Sequence, residues 1–193
     1  MELIFASNNK NKLIEIQQLV NESFDILLLN ETGITEDLPE PFDTFRANAL
    51  SKAEYVFKKV HKPCFSEDSG LIVPALNGAP GVFSARYAGE PCNDQANNTK
   101  LLQSLKLSDD RSAYYQSTIC LLMNNEVHYF EGQCHGKIAM EPRGQNGFGY
   151  DPIFIPENQN ATFAELPVAV KLSRSHRSKA FYLLSDFLNK LSL

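Results

Sequence analysis

Long apolar runs are missing from this 193-residue sequence. No window approaches the roughly 18 apolar residues that a membrane helix needs. The first residues, Met1 to Ser7, lack a basic flank and a long apolar stretch, so they read as a strand rather than an export signal. Positive charge is also short. The 18 Lys and Arg face 23 Asp and Glu, a net charge of −5. That balance argues against a nucleic acid polymer as partner, because duplex binding leans on many cations. A small anionic ligand is still open, since a few local cations suffice. The four cysteines, Cys64, Cys92, Cys120 and Cys134, include no CxxC pair. Their spacings do not fit zinc fingers, and they read as reduced thiols in the cytoplasm. Neither GxxxxGK[ST] nor GxGxxG follows the first strand. No Ser-His-Asp or Cys-His order stands out, and His61, His128 and His135 read as structural or surface residues. With 43% hydrophobic and 21% charged residues, the chain is neither disordered nor fibrous.

What is present reads as one domain over residues 1–193, of mixed α and β elements around one sheet. Residues 2–6 suit a strand, and Lys10 to Val20 a helix. Residues 24–30 suit a second strand, and the acidic, Pro-containing residues 31–43 a loop. From Thr44 to Val60, apolar residues recur at three- and four-residue steps, which predicts a helix capped by Asp43 or Thr44. Cys64-Phe65-Ser66 and Leu71-Ile72-Val73 are short apolar pieces around the polar Glu67-Asp68-Ser69-Gly70. Residues 77–91 should be irregular, and Asn93 to Leu105 helical. Residues 112–122 and 127–137 alternate as strands, with Asn124-Asn125 suited to the hairpin turn. A Gly-rich loop over 144–152, a strand at Ile153-Phe154-Ile155 and a helix from Ser175 to Leu191 follow.

Four segments could carry chemistry. Ser7-Asn8-Asn9-Lys10-Asn11-Lys12 stands at a helix start, where free N–H groups and the dipole attract phosphate; it also reads as an ordinary capped, solvated start. Glu67-Asp68-Ser69-Gly70, with Glu36, Asp37, Glu40 and Asp43 upstream, offers oxygen ligands for Mg²⁺. The same residues make common turn material, and Glu36 and Asp37 read as solvated loop charges. Gly147-Phe148-Gly149-Tyr150-Asp151-Pro152 could let backbone approach a flat ligand, with Phe148 stacking and Asp151 accepting a hydrogen bond, or could form a plain tight turn. Lys171, Ser175-His176-Arg177 and Lys179 put cations at or before a helix N-terminus, where they oppose the dipole. They serve either a ligand or a solvated basic turn.

Together, these segments resemble the inosine triphosphate pyrophosphatase family. The matching stretches are Phe5 to Lys12, Phe65-Ser66-Glu67-Asp68-Ser69-Gly70-Leu71, Gly78 to Gly89, Gly147 to Phe154, and Ser175-His176-Arg177, in the family's order over nearly the whole chain. The resemblance implies an elongated two-lobed α/β fold of Maf/ITPase-like type, with a long mixed sheet and a cleft between lobes. It implies a Mg²⁺-dependent, cytoplasmic homodimer that hydrolyses ITP, dITP and XTP to monophosphate and pyrophosphate, cleaning the nucleotide pool. By the same resemblance, Ser7, Asn8, Asn9, Lys10, Asn11 and Lys12 hold the triphosphate. Asp68 binds metal and activates water, Glu40 is the second metal carboxylate, and Ser69 contacts substrate, with Lys52 a further phosphate partner. Phe148, Gly149 and Tyr150 lie at the purine, and Asp151, Lys171, His176 and Arg177 sit around base and sugar. Two positions depart from the family pattern: Glu67 where relatives often have Asp, and Ala47 where many have Glu.

The reaction so implied is attack of water on the α-phosphorus, with backbone N–H, Arg177 or His176 offering donors to a 6-oxo purine that adenine would leave unpaired. Two other readings are a nucleotide sensor of the same fold without turnover, and a pyrimidine or modified-nucleotide pyrophosphatase of Maf-like type.

Overall fold

A computed structural model describes residues 2–19 and 25–191. Val20 and Phe24, placed above at the ends of a helix and a strand, lie outside the described residues. A six-stranded mixed sheet has the order β2-β1-β3-β4-β5-β6. Its strands are β1 (Glu2–Ala6), β2 (Asp25–Leu28), β3 (Cys64–Ile72), β4 (Ser112–Met123), β5 (Glu126–Ile138) and β6 (Phe154–Pro156). β1 pairs in parallel with both β2 and β3, and β5 pairs antiparallel with β6. The helices are α1 (Lys10–Leu19), α2 (Phe45–Val60), α3 (Asp94–Ser104), α4 (Val168–Arg174) and α5 (His176–Leu191). None of the described helices is long and apolar enough to cross a membrane.

Most expected elements form, for reasons visible locally. Thr44 caps α2 by accepting the Ala47 N–H at 3.2 Å. Asn124 and Asn125 take positive φ of 52° and 62°, the backbone that a two-residue hairpin turn uses. β2 stops at Leu28, earlier than expected, where the Glu31 carboxylate accepts the Leu28 N–H at 2.6 Å and a 3₁₀ turn (Leu29–Thr32) begins. Another 3₁₀ segment, Gly81–Arg86, lies in the stretch expected to be irregular.

One expectation needs correction. Glu67 to Gly70 is not a turn, because β3 runs unbroken through it, with Glu67 1% and Asp68 5% exposed. The C-terminal helix forms as expected: α4 ends at Arg174, Ser175 is extended (φ −65°, ψ 154°), and α5 runs from His176 to Leu191.

The chain forms two compact units. The first comprises Met1–Asp68, Ser117–Gly132 and Arg177–Leu193; the second comprises Ser69–Gln116 and Gln133–His176. The first has two core clusters, sorted by strand alternation. Leu3, Phe5, Phe65, Ile119 and Leu121 pack with Ile16 of α1 and Phe181, Leu184 and Leu188 of α5. The intervening Ile4, Ala6, Cys64, Cys120 and Leu122 pack with Ala49, Ala53 and Val56 of α2. Because these strand segments are buried on both sides, their runs are nearly continuously apolar. The second unit packs Leu71, Val73, Tyr115, Ile153, Phe154 and Phe163 with Leu101 of α3 and Leu105 just beyond its end.

Candidate active site

In the first unit, β3 carries two acids into the interior and cations from distant segments meet them. The Lys12 ammonium of α1 lies 2.9 Å from Glu67 Oε2. Ser117 Oγ donates to Glu67 Oε1 at 2.8 Å, and Arg177 Nε lies 3.2 Å from the same oxygen. Arg177 also ion-pairs with Glu15 of α1. The Lys52 ammonium of α2 reaches Glu40 Oε1 at 2.5 Å, the Glu67 carbonyl at 2.9 Å and Asp68 Oδ1 at 3.5 Å. A polar run can therefore sit inside a strand: burial of each charge is offset by partners.

The fields in this cluster follow from its composition. Burial pushes the Asp68 carboxyl above the usual carboxylate range; Lys52 and Lys12 oppose that, while Glu40 and Glu67 add to it. Burial pulls the Lys52 ammonium down, but Asp68, Glu40 and Glu67 outweigh it and hold it above its ordinary value. Burial likewise works against the Arg177 charge, and Glu67 and Glu15 keep it protonated.

The loop ahead of α1 is preorganised. Asn9 Oδ1 accepts the N–H of Asn11 at 3.0 Å and of Lys12 at 3.1 Å, while Ser7 Oγ accepts the Asn9 N–H at 3.2 Å. Asn8 donates to the Glu36 carbonyl at 3.2 Å. Asn8, Asn9, Lys10 and Asn11 are exposed. Glu36 is more than a solvated charge, since Tyr55 and Lys59 both donate to its carboxylate.

Four carboxylates, Glu15, Glu40, Glu67 and Asp68, share three cations, Lys12, Lys52 and Arg177. The side chain of Glu40 is 34% exposed. Among the described residues, no group of three or more His, Cys, Asp or Glu forms a metal cage. The oxygen-only donors of Glu40 and Asp68 fit Mg²⁺, which takes one or two carboxylates and completes its shell with water and substrate phosphates.

In the second unit, the Gly-rich loop folds back on itself. Asp151 Oδ2 accepts the Phe148 N–H at 2.9 Å and the Lys171 ammonium at 2.6 Å. That ammonium lies 4.8 Å from the centre of the Phe148 ring. Gly147 is required here on two counts: its φ is +77°, and a Cβ would stand 2.0 Å from Asp151 Oδ2. Tyr150 is buried, and its hydroxyl donates to the Ser84 carbonyl at 2.8 Å. His176 is buried and stacks on Tyr115, with centroids 4.6 Å apart and planes 8° apart. Ser69 is half-buried in β3. Lys171 lies in α4, before the start of the last helix.

The structure thus brings Lys12, Glu40, Lys52, Asp68 and Arg177 into one cluster, and Phe148, Asp151 and Lys171 into another. Arg177, expected at the base, has its guanidinium against Glu15 and Glu67. Sequence reasoning missed Glu15, Ser117 and Tyr115. Their only signal was periodicity, which marks a face and not a partner.

Comparison with known proteins gives three findings. The pattern of the Ham1 family matches residues 3–187. A protein of Flavobacterium psychrophilum named dITP/XTP pyrophosphatase is 50% identical over 97% of this chain and 98% of its own length. One of the same name from Bacillus subtilis is 42% identical over 97% and 96%. Among solved structures, the Staphylococcus aureus Ham1 protein superposes with a TM-score of 0.91 at 39% identity, covering 98% of this chain and 99% of that one.

Proposed function

This chain belongs to the Ham1 family, and from that premise we propose how its own residues carry out the reaction. It hydrolyses non-canonical purine nucleoside triphosphates, ITP, dITP and XTP, as its similarity to dITP/XTP pyrophosphatases supports. Water attacks the α-phosphorus, the bond to the bridging oxygen breaks, and nucleoside monophosphate and pyrophosphate leave.

The observation that carries this reading is the buried Asp68 on β3, with the Lys52 ammonium 3.5 Å away. A carboxyl held above its usual range is a better proton acceptor when it ionises, and Asp68 takes the proton of the attacking water. Lys52 keeps Asp68 oriented and stands where phosphate charge develops. Glu40 and Asp68 would hold Mg²⁺, which when bound would neutralise phosphate oxygens. Ser7, Asn8, Asn9, Lys10, Asn11 and Lys12 present backbone N–H groups, amides and ammonium charge to the triphosphate at the N-terminus of α1. Ser69, next to Asp68 on β3, contacts the substrate.

In the second unit, the Phe148 ring takes the face of the purine, and Gly149 leaves the loop backbone open to it. Asp151 and Lys171 fix that ring, His176 stacks on Tyr115, and Tyr150 anchors the loop. Arg177 keeps Glu67 and Glu15 paired rather than reading the base, a change from the sequence-based expectation. The working form is a homodimer in the cytoplasm.

Product analysis tests this directly. With Mg²⁺ and ITP, XTP, GTP or ATP, the expected products are pyrophosphate plus IMP or XMP, with little turnover of GTP or ATP. Release of single phosphate would place attack at the γ-phosphorus and overturn the assignment. Omitting Mg²⁺ should abolish turnover, and its persistence in chelator would remove the role given to Glu40. Light scattering at micromolar concentration checks the dimer.

A further inference from the structure

The helix α3 carries an unusual set of polar side chains for its position. Asn97 and Asn98 are both buried, 2% and 6% exposed. Asn93 already caps the helix by accepting the Ala96 N–H at 2.9 Å, so Asp94 is not needed for that task. Instead, Asp94 Oδ2 accepts the Gly149 N–H at 2.7 Å, and Asn98 Nδ2 donates to the Gly149 carbonyl at 3.1 Å. The two side chains stand four residues apart, on one face of the helix. Together they grip both hydrogen-bonding groups of a single glycine. Asn97 treats a neighbouring loop alike, donating to the Ala85 carbonyl at 2.9 Å and accepting the Ala88 N–H at 2.7 Å.

Gly149 needs such a grip. It and Gly147 flank Phe148, with φ of +61° and +77°. Glycines on both sides of one aromatic residue make the tip costly to order, because they lose the most backbone freedom. Asp151 holds the Phe148 N–H from one side. At Gly149, the next residue, the hold comes from α3. Among the described residues, the Oδ1 of the buried Asn98 has no hydrogen-bond partner. A buried amide with one end unsatisfied is costly, so its value lies in the bond that the other end makes.

We propose that Asp94 and Asn98 are positioning residues for base recognition, which fix the loop that presents Phe148 by holding the N–H and carbonyl of Gly149. This rests on the reading of Phe148 as the surface for the purine. Neither residue touches substrate, and neither acts on the phosphate chemistry. Their loss therefore weakens capture of the base and spares the chemical step.

The test compares Asn98→Ala, Asn98→Asp, Asp94→Ala, Asp94→Asn and Phe148→Ala with the wild-type protein on ITP and ATP. Asn98→Ala should raise KM for ITP about tenfold, the size of one lost hydrogen bond to a constrained group, with kcat within about threefold. Asn98→Asp should do more, because it points a carboxylate at a carbonyl oxygen. The exposed Asp94→Ala should raise KM less, and Asp94→Asn, which keeps an acceptor, should restore most of the loss. Hydrogen exchange at the Gly149 amide should quicken in Asp94→Ala and not in Asp94→Asn, and thermal midpoints confirm that each variant is folded. If Phe148→Ala raises KM while folded Asn98 and Asp94 variants leave KM and Gly149 exchange unchanged, the positioning role is overturned and the base reading stands. If Phe148→Ala leaves KM unchanged, both fall.

Discussion

Around Glu67 and Asp68, the first unit gathers four carboxylates and three cations. Around Asp151, the second unit pairs one carboxylate with one ammonium at 2.6 Å and lines both with the rings of Phe148 and Phe163. The first cluster is a network of several charges of both signs, and Lys12 joins it to the loop ahead of α1. The second is one ion pair beside aromatic rings. A triphosphate with its metal calls for several charges of both signs. A purine calls for a flat aromatic face. In the proposed reading, the number of charges gathered, more than residue type, separates the two roles, since each cluster contains both Asp and Lys.

The largest effect should come from breaking the first cluster at its base. Asp68→Asn should lower kcat for ITP by about 10²- to 10⁴-fold, the range that general-base assistance supplies. The substitution keeps shape and removes a charge that burial disfavours, so the thermal midpoint should hold or rise near neutral pH. The sign follows from linkage: an acid whose native pKa is raised contributes least stability once ionised. Turnover close to wild type in this variant would remove Asp68 from the mechanism. A large loss of folding would show that the cluster is structural first.

The second cluster should respond in stability rather than in the chemical step. Lys171→Met removes the ammonium beside a buried Asp151, and deleting one member of such a pair costs about 3 kcal/mol. Adding Asp151→Asn to Lys171→Met should recover part of that, while KM for ITP stays raised because the Phe148 ring has lost its brace. Chemical denaturation and steady-state kinetics on the two variants separate these outcomes. Equal loss in the single and double variants would mean that the pair is not what holds the loop.

How much of this was legible in the sequence differs between the units for a physical reason. β1, α2 with its Thr44 cap, and the Asn124-Asn125 hairpin follow from local rules, and they form where those rules put them. The strand through Glu67 and Asp68 did not follow. An acidic run looks like a turn until Lys12, Lys52 and Arg177 are brought to it, and nothing local announces those partners. Likewise α4, only seven residues after Pro167, is too short to show a helical period. The site residues themselves were named from motifs, but their grouping was not. Arg177 follows His176 directly, yet its guanidinium serves the acids of the first unit.

That placement makes a prediction that divides the units sharply. If Arg177 kept Glu67 and Glu15 paired and read no base, Arg177→Lys would lower activity on ITP and on residual ATP by the same factor, about tenfold. A drop confined to ITP would return Arg177 to the base. The measurement is the ratio of kcat/KM for the two substrates in wild type and variant.

The smallest effect should come from an ion pair outside both clusters. Lys59 and Tyr55 pull the exposed Glu36 carboxyl down to about 2 from 4.5. Glu36 is a lowered acid, so its contribution is present above pH 4.5 and is lost as pH falls toward about 2. Wild type and Glu36→Gln should therefore differ slightly in thermal midpoint near pH 7, less so at higher salt, and converge in acid. A difference as large as that from Lys171→Met would mean that the size of a pKa shift, rather than burial, decides what a charge does for this fold. The expected outcome is the reverse: a large shift on an exposed group moves stability less than a matched pair in the interior.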